Sequence, residues 1–309
     1  MKVAVIGAGP AGMTAGYELS KKIKQVEVFE ASSSVGGMSK TIELWNQKVD
    51  VGPHRFFSSD NRINELWLEV VGRDYEMVDR LTRIYYNKKF FHYPIKGMDA
   101  LKNLGVIEAA RCMTHYGLEK ISPTKDISSF EGWVTNRFGK RLYQIFFKTY
   151  TEKLWGIPCN ELDADFAAQR IKKFSLGEAV KTALFGNKGE HKTLVDQFAY
   201  PHGGTGMVYE RMSAFVKTQG GEVNLSTPVH RIITKNNKIK ALEFEDGTVK
   251  DYDHVVSSMP LTLMVQRLPE VPDKVKEAAA SLKFRNTIIV YLNINQKDLF
   301  PDNWLYIHS

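Results

Sequence analysis

The six residues Gly7-Ala8-Gly9-Pro10-Ala11-Gly12 combine three glycines with closely spaced backbone amides. That pattern does chemistry in one setting, the tight turn between a strand and a helix. There Gly7 permits the turn, Gly9 lets a foreign pyrophosphate approach the backbone, and Gly12 lets helix and strand pack closely. The helix start presents unpaired N–H groups and a partial positive charge to phosphate oxygens. Pro10 is compatible with that start, because the N–H it lacks would be idle. Glu30 meets a second requirement, a carboxylate that accepts hydrogen bonds from ribose hydroxyls, and an acid there argues against the extra phosphate of NADP. Just beyond lies Ala31-Ser-Ser-Ser-Val-Gly36-Gly37-Met38, a second glycine turn at which more backbone can crowd a ligand. A cofactor longer than NAD fits this pair of turns, and FAD is the cofactor it predicts.

The elements that must position these residues are legible around them. Val3 to Ile6 is a short apolar run, Met13 to Lys22 is compatible with a helix, and Val26-Glu-Val-Phe29 reads as a second strand, which together predict one βαβ unit. From Asn61 to about Gln197 long aromatic and basic segments with helical spacing predict a mostly helical insertion. Strand signals return at Glu222–Leu225, Val229–Thr234, Ile239–Glu245 and Val249–Tyr252, with Asn236-Asn237 and Asp246-Gly247 as hairpin turns. Thr287–Ile294 and Trp304–Ile307 read as further strands. The expected class is α/β: a doubly wound cofactor domain from residues 1–58 and 199–265, and a largely helical plus sheet substrate domain from 59–198 and 266–309.

Composition bounds the rest. With 309 residues, 43% of them hydrophobic, the chain can bury a large core. Lys and Arg exceed Asp and Glu by 42 to 35, which suits an anionic small-molecule substrate. Cys112 and Cys159 stand far apart, without metal-ligand spacing, so neither a zinc site nor a disulfide scaffold is expected, and a reduced cytoplasmic setting fits. Met1 runs directly into a strand, leaving no room for a signal peptide. No apolar run approaches the roughly 18 residues of a membrane span; contact with a membrane surface stays open, as does the oligomeric state. No motif for reading DNA or RNA appears, so nucleic acid is not an expected partner.

With these residues in view, the chain resembles the flavoprotein superfamily of amine oxidases, protoporphyrinogen oxidase, phytoene desaturases and UDP-galactopyranose mutase. Later segments carry the resemblance further. Val49-Asp50-Val51-Gly52-Pro53-His54 is similar to the segment that passes the flavin ring, and Tyr200-Pro-His-Gly203-Gly204-Thr-Gly206 to the entry of the second nucleotide-domain helix. Pro228-Val229 resembles the strand whose backbone meets adenine, and Val255-Val-Ser-Ser-Met259-Pro260 the turn near the phosphates. Gly52-Pro53-His54 and Tyr150 to Gly156 look most like the mutase, in which the flavin acts on a nucleotide sugar without net redox change. Three departures qualify the resemblance. Met38 stands where many members carry arginine. Thr287 falls where amine oxidases place a lysine, which makes amine oxidation less expected. The Gly-Asp segment that meets the ribityl chain in this superfamily does not occur before Ser309, which implies a longer protein.

Because a flavin supplies the reacting atom, few catalytic side chains are needed. His54 is the residue expected beside the flavin ring. Basic groups in the insertion could clamp a diphosphate, since an arginine fork matches phosphate oxygens. Arg80, Arg83, Lys88, Lys89, Lys96, Arg137, Lys140, Arg141, Lys148, Lys153, Lys172 and Lys173 belong to this set, and Arg170 leads it because Arg170-Ile-Lys-Lys resembles the mobile arginine segment of the mutases. Tyr85, Tyr86, Phe90, Phe91, Tyr93 and Trp155 could wall a substrate pocket or simply fill a core. The leading expectation is a FAD-dependent oxidoreductase that transfers hydride. The alternatives are a mutase-like isomerase of polysaccharide biosynthesis and a flavin-binding fragment without turnover.

Overall fold

The computed structural model describes residues 1–93, 100, 103–171, 197–236, 238–297 and 299–308. The chain divides into two compact units, Met1–Val78 with Phe198–Asn295, and Asp79–Gln197 with Gln296–Ser309. The first begins β1 (Lys2–Ile6), α1 (Pro10–Ser20), β2 (Gln25–Phe29), β3 (Thr41–Leu44), β4 (Gln47–Asp50), α2 (Asn61–Val71) and β5 (Tyr75–Asp79). The second holds β6 (Thr82–Tyr86), β7 (Lys89–His92), α3 (Val106–Ile121), α4 (Phe130–Phe138), α5 (Lys140–Tyr143), a π-helical turn at Gln144–Lys148, α6 (Thr149–Trp155) and α7 (Ala164–Ile171). The chain then returns to the first unit through β8 (Gln197–Pro201), α8 (Gly206–Thr218), β9 (Glu222–Asn224), β10 (Val229–Lys235), β11 (Lys238–Phe244), β12 (Val249–Asp251), β13 (His254–Ser257), α9 (Leu261–Arg267) and α10 (Asp273–Ser281), and β14 (Trp304–His308) closes the second.

Four strands of the first unit form a parallel sheet in the order β13-β1-β2-β9. Val3, Ala4, Val5 and Ile6 are all buried, as are Val26, Val28 and Phe29, because both faces of the sheet are covered. On one face Met13 and Tyr17 of α1 pack with Val208, Met212 and Val216 of α8 and with Trp67, Val70 and Val71 of α2 against Val5, Val26 and Val28. On the other, Ala4, Ile6 and Phe29 meet Val229, Ile232, Leu242 and Phe244 of the antiparallel sheet β10-β11-β12, together with Tyr252 just beyond β12. The chain crosses from β1 to β2 on one side and reaches β13 on the other, so a crevice opens at the carboxyl end of β1, where the strand order reverses.

The second unit is helical with a small sheet. Phe130, Val134, Phe138, Leu142, Tyr143 and Phe146 form its core with Ile84 and Phe91. Both cysteines lie in that core, where burial pushes their thiols up to about 11.

The structure corrects three expectations. Residues 61–93, read as the start of a helical insertion, hold one helix and three strands. Their hairpin is β6–β7, whose turn residues Asn87 and Lys88 adopt positive φ of 45° and 59°, the geometry of a two-residue turn. Thr287–Ile294, read as a strand, pairs with no other strand among the described residues: Ile288, Val290 and Leu292 are 87%, 73% and 75% exposed. The unit boundaries also differ from the expected 1–58 with 199–265, because α2 contributes Trp67, Val70 and Val71 to the first core and residues 266–295 belong to that unit as well.

Candidate functional site: a dinucleotide crevice

The Gly7–Gly12 turn sits at the end of β1 and opens α1, with Pro10 in the first helical position. Two of its glycines are required by the protein's own atoms. Gly7 has φ of +94°, and a Cβ on Gly12 would overlap the Gly7 carbonyl oxygen and come within 2.8 Å of Ser258 Oγ. Gly9 is different. A Cβ there meets nothing nearer than Gly37 Cα at 3.8 Å, so the fold itself would accept alanine, and the bare backbone leaves room for something outside the chain. The N–H groups of Ala11 and Gly12 have no acceptor among the described residues, as expected at a helix start. These features fit the pyrophosphate of a dinucleotide.

Glu30 is aimed into the same turn. Its Oε2 accepts from Ala8 N at 2.7 Å, and its Oε1 from Ser32 N and Ser32 Oγ at 2.9 and 2.8 Å. Carboxylate oxygens accept more than one hydrogen bond each, so capacity remains for a sugar hydroxyl. The segment before β10 is fastened here too: Thr227 N donates to Glu30 O and Ser226 N to Ser32 O, which brings the buried Val229 close to the acid. Ala31 is exposed beside it. Gly36 N donates to Ala8 O, so the second glycine turn lies against the first, and a Cβ on Gly37 would stand 3.0 Å from Gly9 Cα. Met38 follows, 70% exposed. Met259 lies just past β13 and packs on the third core cluster. Ser258, which sequence reasoning missed, donates both N and Oγ to Ile6 O and so holds β13 against the turn.

His54 reaches back to this region. Its Nε2 lies 2.8 Å from Met38 O and 3.0 Å from Val51 O. Since both partners are carbonyls, Nε2 carries the proton and Nδ1 is left as acceptor. Gly52 has φ of +90°, and Pro53 is exposed next to it. His54 lines a cavity of about 200 Å³ with Thr14, Ser39, Trp67 and Tyr209. Beneath, Asp50 accepts from Thr41 Oγ1, Tyr200 Oη, Thr205 Oγ1 and Thr205 N, a network that its neighbours in sequence give no hint of.

The basic set divides. Arg83 is committed to Asp302, with two hydrogen bonds of 2.7 and 2.6 Å to a carboxylate of zero exposure, and Arg141 is committed to Glu108. Lys89 donates to Asn103 O. Arg80 lies over the rings of Tyr93 and Trp304. Arg170 falls on the last turn of α7, but its side chain, like Lys96, Lys172 and Lys173, lies outside the described residues. Among the aromatics, Phe91 is core, while Tyr85 packs on Phe90 and Trp155 on Phe166. No cluster of three or more His, Cys, Asp or Glu suited to a metal occurs among the described residues, and no described helix is long and apolar enough to cross a membrane.

Comparison with known proteins agrees with this geometry. A probable UDP-galactopyranose mutase of Klebsiella pneumoniae is 27% identical over 185 residues, 56% of this chain and 46% of the relative. A neurosporene-forming phytoene desaturase of Rhodobacter capsulatus is 26% identical over 284 residues, 83% of this chain and 52% of the relative. The chain thus spans about half the length of these curated relatives. Among solved structures, a reduced UDP-galactopyranose mutase superposes with a TM-score of 0.76 at 21% identity, covering 90% of this chain and 59% of that one, which shows a shared fold. The model of the flavin-containing amine oxidoreductases matches residues 10–304, and the chain belongs to that family, with FAD as its cofactor.

Proposed function

We propose that this chain carries the cofactor-binding part of a cytoplasmic FAD-dependent oxidoreductase, in which hydride passes between a small-molecule substrate and the flavin. The observation that carries the reading is Gly9. The fold does not need a glycine there, and a dinucleotide does. Diphosphate would lie on the N–H groups of Ala11 and Gly12 beside Gly9, ribose against Glu30, adenine along Val229, and the flavin ring toward Gly52, Pro53 and His54. Ala31, Gly36, Gly37, Met38 and Met259 would line the crevice. Bound there, the flavin supplies the hydride acceptor or donor, and the protein's part is to hold and orient it. The first unit is the cofactor domain in this reading, and the second is the substrate domain. The test is direct: the purified full-length protein should be yellow and release flavin on denaturation, whereas colourless protein that takes up no added FAD would refute the reading.

A second reading is a mutase-like enzyme that acts on a nucleotide sugar without net redox change. The Klebsiella relative and the Gly52-Pro53-His54 segment support it. Anaerobic incubation of the reduced protein with UDP-galactopyranose, followed by sugar chromatography, separates the two, since absence of ring-contracted product removes the mutase. In that reading Arg170 grips the diphosphate, and Arg170→Ala weakens nucleotide-sugar binding by about 1.5–3 kcal/mol, as for loss of a hydrogen bond to a charged group.

A further inference from the structure

Asp50 ends β4, opposite Thr41 on β3. Its carboxylate accepts four donors: Thr41 Oγ1 at 2.6 Å and Thr205 N at 3.0 Å on one oxygen, and Tyr200 Oη at 2.8 Å and Thr205 Oγ1 at 2.6 Å on the other. The β3–β4 hairpin does not require this, since its ladder already pairs the two residues through their backbones. What the carboxylate adds is a tie to the entry of α8, where an anion is favoured by the helix dipole. Thr41 extends that tie, because its hydroxyl accepts from Gly206 N at 2.8 Å. Burial, and then the neighbouring Asp50 carboxylate, raise the Tyr200 phenol well above its ordinary range, so its hydroxyl remains a donor at neutral pH.

The shape of α8's entry matches this anchor. Gly204 has φ of +81°, and a Cβ there would overlap the Thr41 hydroxyl and stand 2.9 Å from Asp50 Oδ1. A Cβ on Gly206 would collide with Thr41 N. Two glycines thus clear the space in which the carboxylate meets the helix. On its backbone side, the same residue starts the turn toward His54. Asp50 O accepts from Gly52 N at 2.9 Å and from Tyr291 Oη at 2.7 Å, and the next carbonyl, Val51 O, is one of the two that hold His54 Nε2.

We propose that Asp50 is a positioning residue for the Gly52-Pro53-His54 segment: through its carboxylate it fixes that segment to the start of α8, and so fixes the tautomer and direction of the His54 ring. The geometry stands without a cofactor, and its consequence for flavin rests on the function proposed above. Losing the anchor moves Val51 O, and with it one of the two acceptors that keep the proton on Nε2.

The experiment compares wild type with Asp50→Asn in two arms. In the flavin-free full chain, ¹H–¹⁵N correlation of the His54 imidazole should show a single Nε2-protonated tautomer in wild type and a mixture of tautomers in Asp50→Asn. With FAD added, the variant should bind about tenfold more weakly, the scale of one lost charge-assisted hydrogen bond, with an altered visible spectrum of the bound flavin. Glu27→Gln, on the face of β2 that packs on the antiparallel sheet, is the control: it should lower thermal stability while leaving both signals unchanged. Where Asp50→Asn does not fold, Tyr200→Phe removes one donor and keeps the carboxylate, and should shift the tautomer ratio in the same direction. An unchanged His54 signal in the folded variant overturns the proposal. Wild type that binds no FAD but shows the tautomer change overturns the flavin reading and leaves the positioning role standing.

Discussion

Gly9 and Gly12 are the same residue type three positions apart, yet only Gly12 is required by the fold, and the role proposed for Gly9 is toward a ligand. Gly12→Ala drives a methyl group into the Gly7 carbonyl, and the expected outcome is a loss of about 1–3 kcal/mol or more, seen as a lowered midpoint in thermal unfolding. Gly9→Ala meets no clash and should change stability by less than about 0.5 kcal/mol while depleting bound flavin. Equal stability losses in both variants would deny this division. At this scale the sequence was informative where backbone freedom dictates the residue, as at Gly7 and Gly12. It was silent about Ser258 and Thr205, whose partners Ile6 and Asp50 are remote along the chain, because a hydroxyl declares nothing about what it will meet. It also presented Arg83 as a candidate phosphate ligand, when its guanidinium is occupied by a carboxylate that only the fold brings near. Arg83→Met should leave Asp302 buried without a counter-charge and destabilise the second unit by about 3 kcal/mol or more, measured by denaturant unfolding. A neutral result would return Arg83 to the list of available cations.

Between elements, the joint of the parallel sheet with the antiparallel one is held by Glu27 on β2. It is 8% exposed and accepts from Lys2, Lys250 and Tyr252, each at 2.9 Å. Burial alone would raise its pKa, but these three hydrogen bonds prevail and hold it below its ordinary 4.5. Because the folded-state value is depressed, the stabilisation is full above the unfolded value and is lost as pH falls from about 4.5 through the folded one. Glu27→Gln should cost about 1–2 kcal/mol at neutral pH, moderated because both ammonium groups are partly in water, and should flatten the acid limb of the stability profile. An acid limb of unchanged steepness would count against Glu27. The β1–α1–β2 unit was legible because a short apolar run, a glycine turn and a helix-compatible stretch follow one another before the strand that leads into Glu30. The β6–β7 hairpin was not, since Thr82 to His92 mixes aromatic and basic residues, and its antiparallel pairing across the positive-φ turn at Asn87 and Lys88 shows only in the fold.

The molecule as a whole joins two units, each built from segments distant in sequence, and its class followed from the order of apolar runs. Its boundaries did not, because α2 joins the first core through Trp67, Val70 and Val71, residues whose helical spacing looks the same in either unit. The unpaired stretch after α10 has a consequence for the isolated chain. Residues 286–295 make no backbone hydrogen bond among the described residues, while Ile289 and Tyr291 turn inward and Ile288, Val290, Leu292 and Ile294 turn out. Alternating apolar side chains beside amides and carbonyls that have no backbone partner among the described residues would let another extended segment pair there. Light scattering should therefore show a mass that climbs with concentration, and Val290→Lys, a charge at the centre of the row, should hold it at that of one chain. A mass constant from dilute to concentrated solution would mean that this stretch is inert.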